Sequence, residues 1–126
     1  MRKMSRANFL AGLPLASAGD IQETTFVGAN NQNTPANVTG FAFAGTVRAF
    51  TALAAVTVDA TSDLYEQFTI DGINRDGSWQ IAVQAVGDES GVVFSITTGG
   101  QIQYISGDYA GFASLVIKFR AITITA

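Results

Sequence analysis

The residues best suited to chemistry are acidic residues that stand beside glycine in short segments. The first segment, residues 71–77, has the sequence DGINRDG and places side-chain oxygens at positions 1, 4 and 6. A calcium loop of the EF-hand type needs oxygens at positions 1, 3 and 5 and a glutamate at position 12, and these are missing here. Asp-Gly pairs are frequent in hairpin turns. We therefore interpret this segment as a turn.

The second segment places two adjacent carboxylates, Asp88 and Glu89, between Gly87 and Gly91. They could hold a cation, but glycosidase chemistry needs an acid and a nucleophile at a fixed gap in a cleft. The chain has no histidine and no cysteine, and no G-x-S-x-G motif. It therefore lacks an imidazole base, a thiolate nucleophile and a zinc-thiolate site. The sequence predicts a surface turn here, and a protein with no enzymatic activity, no cofactor and no metal site.

Aromatic residues offer a different chemistry, since their rings can stack on sugars. Trp79 opens an apolar run and is interpreted as a core anchor. Tyr109 lies between Gly107 and Gly111 and is predicted to be the best exposed of the aromatic residues. A ligand-facing surface would then consist of loop residues from three segments of the chain. The candidates are Asn31, Asn33, Asp88, Glu89, Asp108 and Tyr109.

The elements that must position these loops are β-strands. Apolar and polar residues alternate through much of the chain, and Asp-Gly, Gly-Asp and Gly-Gly pairs punctuate the runs. This pattern is typical of antiparallel sheets with one buried face. It predicts an all-β, antiparallel β-sandwich of about eight strands, jelly-roll-like, with a polar loop over residues 28–40. The predicted strands cover residues 21–27, 41–43, 46–50, 53–60, 62–70, 79–86, 92–97, 101–105 and 115–125.

Composition indicates a domain that works in an assembly. Only 13% of the 126 residues are charged, against about a quarter in typical domains. A covered surface in an oligomer would explain the shortage, and so would a neutral surface rich in Thr, Ser, Gln and Asn. From Ala7 onward four bases face ten acids, a net charge of −6, which argues against nucleic-acid binding. No apolar run approaches the ~20 residues of a membrane helix.

The basic residues concentrate at the start of the chain. Arg2, Lys3 and Arg6 precede a short apolar stretch that includes Phe9 and Leu10. We predict that residues 1–20 form an extended N-terminal arm and that residues 21–126 form the sandwich domain. These five residues are the predicted contacts of the arm with a partner. Residues 1–20 also have the outline of a secretory signal, with an A-x-A site ending at Ala18, but the proline at position 14 interrupts its apolar region.

Four segments of the chain resemble a small β-domain that is common in tailed bacteriophages. They are DGINRDGSW at residues 71–79, GDESGVVFSIT at 87–97, GQIQY at 100–104 and IKFRA at 117–121. The family's domains occur at the ends of tail fibres and in other virion proteins. The resemblance implies a virion component and a homotrimer of jelly rolls of the tumour-necrosis-factor-like kind. It covers about residues 50–124.

Three functional hypotheses follow. No long repetitive shaft precedes the sandwich, which favours a trimeric capsid decoration (cement) protein on the capsid surface. Its arms would clamp the major capsid protein, and linking them through the trimer would add weak contacts together. The alternative is a tail-fibre or tail-tip module that recognises host surface glycan through its loops. A third hypothesis is a secreted, lectin-like bacterial domain, which requires cleavage after Ala18.

Overall fold

The structure is a computed structural model that describes residues 17–126, and these residues form eight antiparallel β-strands and no helix. The strands make two sheets, one of five strands in the order β1-β8-β3-β4-β5 and one of three in the order β2-β7-β6. Their bounds are β1 Ile21–Gly28, β2 Ala36–Ala42, β3 Val47–Asp59, β4 Leu64–Arg75, β5 Ser78–Gly87, β6 Val93–Ile96, β7 Gln101–Ile105 and β8 Ser114–Thr125.

The order of the strands is nested, because early strands pair with late ones. The first strand pairs with the eighth in one sheet, and the second pairs with the seventh in the other. Within the larger sheet, β3, β4 and β5 follow one another as two consecutive hairpins. The two sheets pack face to face around one hydrophobic core. The prediction of an all-β, antiparallel sandwich of about eight strands is confirmed.

Alternation along the strands produces the core. In β3, buried residues from Phe50 to Val58 alternate with exposed ones from Thr51 to Asp59. Aromatic rings from both sheets fill the middle of the sandwich. Phe41 stacks on Phe119 with ring centroids 4.3 Å apart, and Phe43 stacks on Phe50 at 3.9 Å. Burial of each such side chain stabilises the fold by about 1.5–3 kcal/mol.

Two strands differ from the sequence prediction. Residues 46–50 and 53–60 are one continuous strand, β3, because the alternation of buried and exposed residues runs through Thr51 without a break. Strand β2 begins at Ala36, inside the segment predicted to be a polar loop. Val38 is fully buried there, and its contribution to the core outweighs the turn preference of the neighbouring asparagines.

The two Asp-Gly pairs of the segment 71–77 have different roles. Asp76 and Gly77 have φ angles of 51° and 96° and form the two-residue turn between β4 and β5, as expected for this pair. Gly72 lies inside β4 instead, and a Cβ atom there would stand 2.2 Å from the ring of Phe50. Glycine at this position makes room for an aromatic ring of the core. The predicted turn is thus confined to two residues.

The connections gather at two opposite ends of the sandwich. We call one the loop end, which contains residues 29–35, 60–63, 88–92 and 106–113. We call the other the terminal end, which contains residues 17–20, 43–46, 76–77, 97–100 and Ala126. The twelve residues of β8 connect the two ends, a distance of roughly 40 Å at about 3.4 Å per residue.

Candidate functional site

The loop end brings together the three loops that carry the candidate ligand-facing residues. Tyr109 donates its backbone N–H to Oδ1 of Asn30 at 2.8 Å. Asn30 in turn donates from Nδ2 to Oδ1 of Asp108 at 3.3 Å. The hydroxyl of Tyr109 donates to the backbone carbonyl of Ser90, which joins the third loop to the other two. These bonds hold the three candidate loops together at one end of the sandwich.

Backbone bonds fix the first loop against the last. The N–H of Asn31 donates to the carbonyl of Gly107 at 2.7 Å. Gln32 and Ser106 exchange two bonds, and the buried hydroxyl of Ser106 also donates to the carbonyl of Ala29 at 2.6 Å. Asn31 has a left-handed backbone with φ of 54°, which asparagine tolerates better than most residues. The side chains of Asn31 and Asn33 are exposed.

The carboxylates of the acidic turn and of Glu66 in the adjoining strand β4 have different roles. Asp88 Oδ2 accepts the N–H of Tyr65 at 2.9 Å, and the N–H of Asp88 donates to the Tyr65 carbonyl at 2.8 Å. Glu66 accepts two bonds on Oε1, from the N–H of Ser90 at 3.0 Å and from its hydroxyl at 2.6 Å. Glu89 is exposed. Within residues 17–126, no three His, Cys, Asp or Glu side chains come close enough together to hold a metal ion.

Tyr109 is less exposed than the sequence predicts. Its ring is half-buried and stacks near Phe112, with ring centroids 6.1 Å apart. Burial raises the pKa of the phenol above 10.0, the bond from the Gly107 N–H lowers it, and the negative charge of Glu66 raises it. Among the tyrosines Tyr65 is the most exposed, at 59%. The interpretation of Trp79 as a core anchor agrees with its burial.

The five predicted arm contacts, Arg2, Lys3, Arg6, Phe9 and Leu10, lie outside the described residues. The end of the predicted arm, residues 17–20, is attached to the sandwich at the terminal end. Asp20 Oδ1 accepts bonds from the N–H and the hydroxyl of Thr123 at 2.7 and 2.8 Å. Asp20 Oδ2 accepts the N–H of Ser17 at 3.0 Å. The chain therefore enters the sandwich at the end opposite the candidate loops.

A surface that the sequence analysis missed lies on the five-stranded sheet. Its outer face, turned away from the small sheet, carries the exposed apolar side chains Val27, Leu53, Ile73, Val86, Ile122 and Ile124. An open groove of about 260 Å³ crosses this face between Leu53, Lys118 and Arg120. In β8 the apolar residues Ala121 and Ile122 are adjacent, so the alternation changes phase and places Ile122 and Ile124 on the outer face. This change of phase is the signal that could have indicated the surface.

None of the described residues forms a helix that is long and apolar enough to cross a membrane. No protein-family model matches the sequence, and no curated protein matches it.

Among solved structures, the chain is similar to the crystal structure of the tailspike protein of Acinetobacter phage vB_ApiP_P1. The sequence identity is 9% and the TM-score is 0.52. The similarity covers 99% of this chain but only 27% of the tailspike chain. At this identity the likeness shows the fold alone: the sandwich is an architecture shared with part of a phage tailspike protein.

Proposed function

We propose that this chain is a structural protein of a tailed-phage virion, which works as an oligomer and catalyses no reaction. The observation that carries the proposal is the uncovered apolar surface of the five-stranded sheet on an otherwise well-packed sandwich. Exposed apolar surface marks sites of association, and on this face Ile122 and Ile124 adjoin Ala49 and Ile73, while Leu53 stands beside Arg120. The fold shared with part of a phage tailspike supports the virion assignment, and so does the resemblance of about residues 50–124 to phage β-domains.

The first candidate role is that of a trimeric capsid decoration protein. Three sandwiches would associate through apolar sheet surfaces, and the basic segment around Arg2, Lys3 and Arg6 would contact the major capsid protein. The attachment of Asp20 to Thr123 supports this role, because it fixes the base of the predicted arm to the sandwich. A pull on the arm would be passed to the central sheet and so to the trimer.

The second candidate role is a tail module that recognises host surface glycan. The likeness to a tailspike favours it, and so does the position of the loop end opposite the entry of the chain. A module held at its terminal end would present Asn31, Asn33, Asp88, Glu89 and Asp108 outward. In this role Tyr109 would support the loops rather than stack on a sugar, since its hydroxyl is bonded to Ser90.

One reconstitution experiment separates the two roles. Purified protein is mixed with virions or capsids that lack it, and the particles are imaged to count and locate the copies. Hundreds of ordered copies over the lattice support decoration, and deletion of residues 2–18 should then abolish binding while the oligomer persists. A few copies at the tail support receptor recognition. Failure to bind any part of the particle would contradict the proposal.

A further inference from the structure

The edge strands of the two sheets are protected to different degrees. In the described part of the chain, β1 and β5 are the edges of the large sheet, and β2 and β6 are those of the small one. Proteins protect such edges with bulges, charges or short length. The register of β1 shifts near Glu23, the pairing of β2 is interrupted between Asn37 and Ala42, and β6 is only four residues long.

Strand β5 has none of these protections. It is ten residues long, and it pairs with β4 in continuous register from Ser78 to Gly87. Its sequence, SWQIAVQAVG, contains no charged residue and no proline. An edge of about 34 Å is therefore open and regular.

Alternate residues of β5 point their backbone N–H and C=O groups away from β4. The two-residue turn at residues 76–77 makes Arg75 and Ser78 a hydrogen-bonded pair. Beyond the other end of the strand, Asp88 donates its N–H to the carbonyl of Tyr65 at 2.8 Å. Bonded and non-bonded pairs alternate along an antiparallel ladder, so the even-numbered residues of β5 bond to β4. The residues whose backbone groups face outward are Trp79, Ile81, Val83 and Ala85.

The sequence of β5 is nearly symmetric about Ala82. The residues on either side of it are the branched apolar Ile81 and Val83, and the next on either side are Gln80 and Gln84. Antiparallel pairing of two such strands about Ala82 therefore sets each glutamine opposite a glutamine. It also sets each branched side chain opposite a branched one, which is a favourable cross-strand pair.

The same pairing keeps the faces of the two sheets in agreement. Val83 stands opposite the fully buried Ile70 of β4, so it lies on the inner face. The small sheet covers that face only as far as Phe94, whose ring centroid is 4.9 Å from that of Phe68 in β4. Val83 consequently remains 40% exposed. A second β5 strand beside the first would cover it with the inner-face side chain of Ile81.

We propose that β5 pairs antiparallel with β5 of a second copy of this chain, about a two-fold axis at Ala82. The two five-stranded sheets then form one continuous sheet. The contact is isologous, so it closes with two copies and leaves neither β5 edge open. The inference goes beyond the proposed function, because it adds a two-fold contact at the edge to the association expected on the outer face.

A second copy satisfies this edge in its backbone groups and in its charge. Trp79 would bond to Ala85 of the second copy, and Ile81 to Val83, which gives about eight bonds between the chains. A typical interface has about ten direct hydrogen bonds. Acidic residues outnumber basic ones in the domain, yet two β5 strands meet without like-charge repulsion because neither carries a charge.

A cysteine at the axis tests the pairing and its register. The chain has no cysteine of its own, so an introduced one reports a single contact. The two copies of Ala82 form a non-hydrogen-bonded pair with Cα atoms about 4.5 Å apart, within the range of disulfides. Under mild oxidation, Ala82→Cys should give a covalent dimer of twice 13.2 kDa on denaturing, non-reducing electrophoresis.

The matched control is Ala85→Cys. Ala85 is an exposed alanine of the same strand. In the proposed pair its two copies lie three residues to either side of the axis, roughly 20 Å apart, which is too far for a disulfide. We expect A82C to cross-link at least ten times faster than A85C.

A charge at the edge tests the same contact in the protein without cysteine. Lysine is a common protection of edge strands, so Val83→Lys should raise the dissociation constant measured by sedimentation equilibrium at least tenfold. Val93→Lys is the control, since Val93 is 56% exposed and lies in β6 of the other sheet. Circular dichroism verifies folding, and Val86→Lys is a second edge variant on the outer face. V83K should also slow the cross-linking of A82C, and V93K should not.

The outcomes separate this inference from the proposed function. Equal cross-linking of A82C and A85C would overturn the two-fold pairing, and an edge that receives a different chain would give no A82C dimer. Oligomers that persist in V83K and V86K without an A82C dimer would overturn the β5 contact and leave the oligomeric function standing. An unaltered protein that is monomeric at about 100 μM, a concentration typical of weak complexes, would contradict both.

Discussion

The loop end and the β5 edge are both exposed, yet they differ in how well their groups are paired. The polar groups of the loop end are hydrogen-bonded to one another, whereas apolar side chains of the β5 edge are left uncovered. At the loop end, hydrogen bonds between Tyr109, Asn30, Ser90 and Glu66 tie three loops into one rigid cap. At the β5 edge, a regular uncharged strand stands open, with Val83 and Val86 in contact with solvent.

The difference indicates whether each region stabilises the monomer or is available to bind a partner. A loop whose polar groups already bond to one another stabilises the monomer and gains less from a new partner. An apolar edge contributes little to the monomer and gains when water is removed from it. Substitutions at the loop end should therefore change stability and leave assembly intact, and substitutions at β5 should do the opposite.

The largest effect is expected for Tyr109→Ala, which removes the half-buried ring and its bond to Ser90. Loss of a large aromatic side chain costs about 3 kcal/mol or more in a full core, so we expect about 2–3 kcal/mol here. Urea unfolding measures the change, and sedimentation should still give the oligomer. Loss of the oligomer in a folded Y109A would remove the distinction between the two regions.

Glu66→Ala should cost about 2 kcal/mol, since it leaves the N–H of Ser90 and its buried hydroxyl without their acceptor. Glu89→Ala is the matched control, because that carboxylate is the neighbour of Ser90 in the turn and is exposed. Its effect should stay within about 0.5 kcal/mol. Equal effects of the two substitutions in urea unfolding would show that the bonds to Ser90 do not hold the turn.

Tyr109→Phe keeps the ring and removes the hydroxyl, at an expected cost of about 1 kcal/mol near neutral pH. Burial raises the pKa of the folded phenol above 10.0, so the unfolded chain loses this proton first as the pH rises. The contribution of the neutral phenol is therefore complete below about pH 10 and is lost as the pH rises through the folded pKa. The difference in stability between the two proteins should shrink between neutral pH and pH 11. A constant difference would contradict the assigned shift.

The smallest effect on monomer stability is expected for Val86→Lys, within about 0.5 kcal/mol in dilute solution. The effect should appear instead in the concentration dependence of thermal unfolding. An oligomer is stabilised by mass action, so the Tm of the unaltered protein should rise with protein concentration. The Tm of Val86→Lys should not. Differential scanning calorimetry over a hundredfold range of concentration distinguishes the two proteins.

Much of the fold can be predicted from local sequence patterns, and the predictions that were wrong failed for physical reasons. Period-two alternation and turn residues predicted the sandwich. They also predicted the bounds of β7, which runs from Gln101 to Ile105. The Asp-Gly signal predicted a turn at both pairs of the segment 71–77, but only Asp76 and Gly77 form one, and Gly72 lies inside β4. Only the packing of Phe50 over Gly72 distinguishes these two cases, and that contact joins residues 22 positions apart in sequence.

The site was predicted less completely than the fold. The sequence indicated which loops carry polar residues, and the structure brings them together through Asn30 and Tyr109. It did not predict that the Tyr109 hydroxyl is bonded to Ser90, a contact between residues from separate loops. The open edge at β5 depends on sheet order and on the width of the opposite sheet. Neither property is encoded in any single window of sequence.

The bond between Asp20 and Thr123 has a mechanical consequence. Both ends of the described chain lie at the terminal end, where Ala126 also donates its N–H to the carbonyl of Thr46. A tensile load between residue 17 and residue 126 would therefore unzip β1 from β8 one rung at a time, beginning at this bond, rather than shear all rungs at once. The sandwich should resist force better when the load is applied by adjoining subunits across the five-stranded sheet than when it is applied to the two ends of the chain.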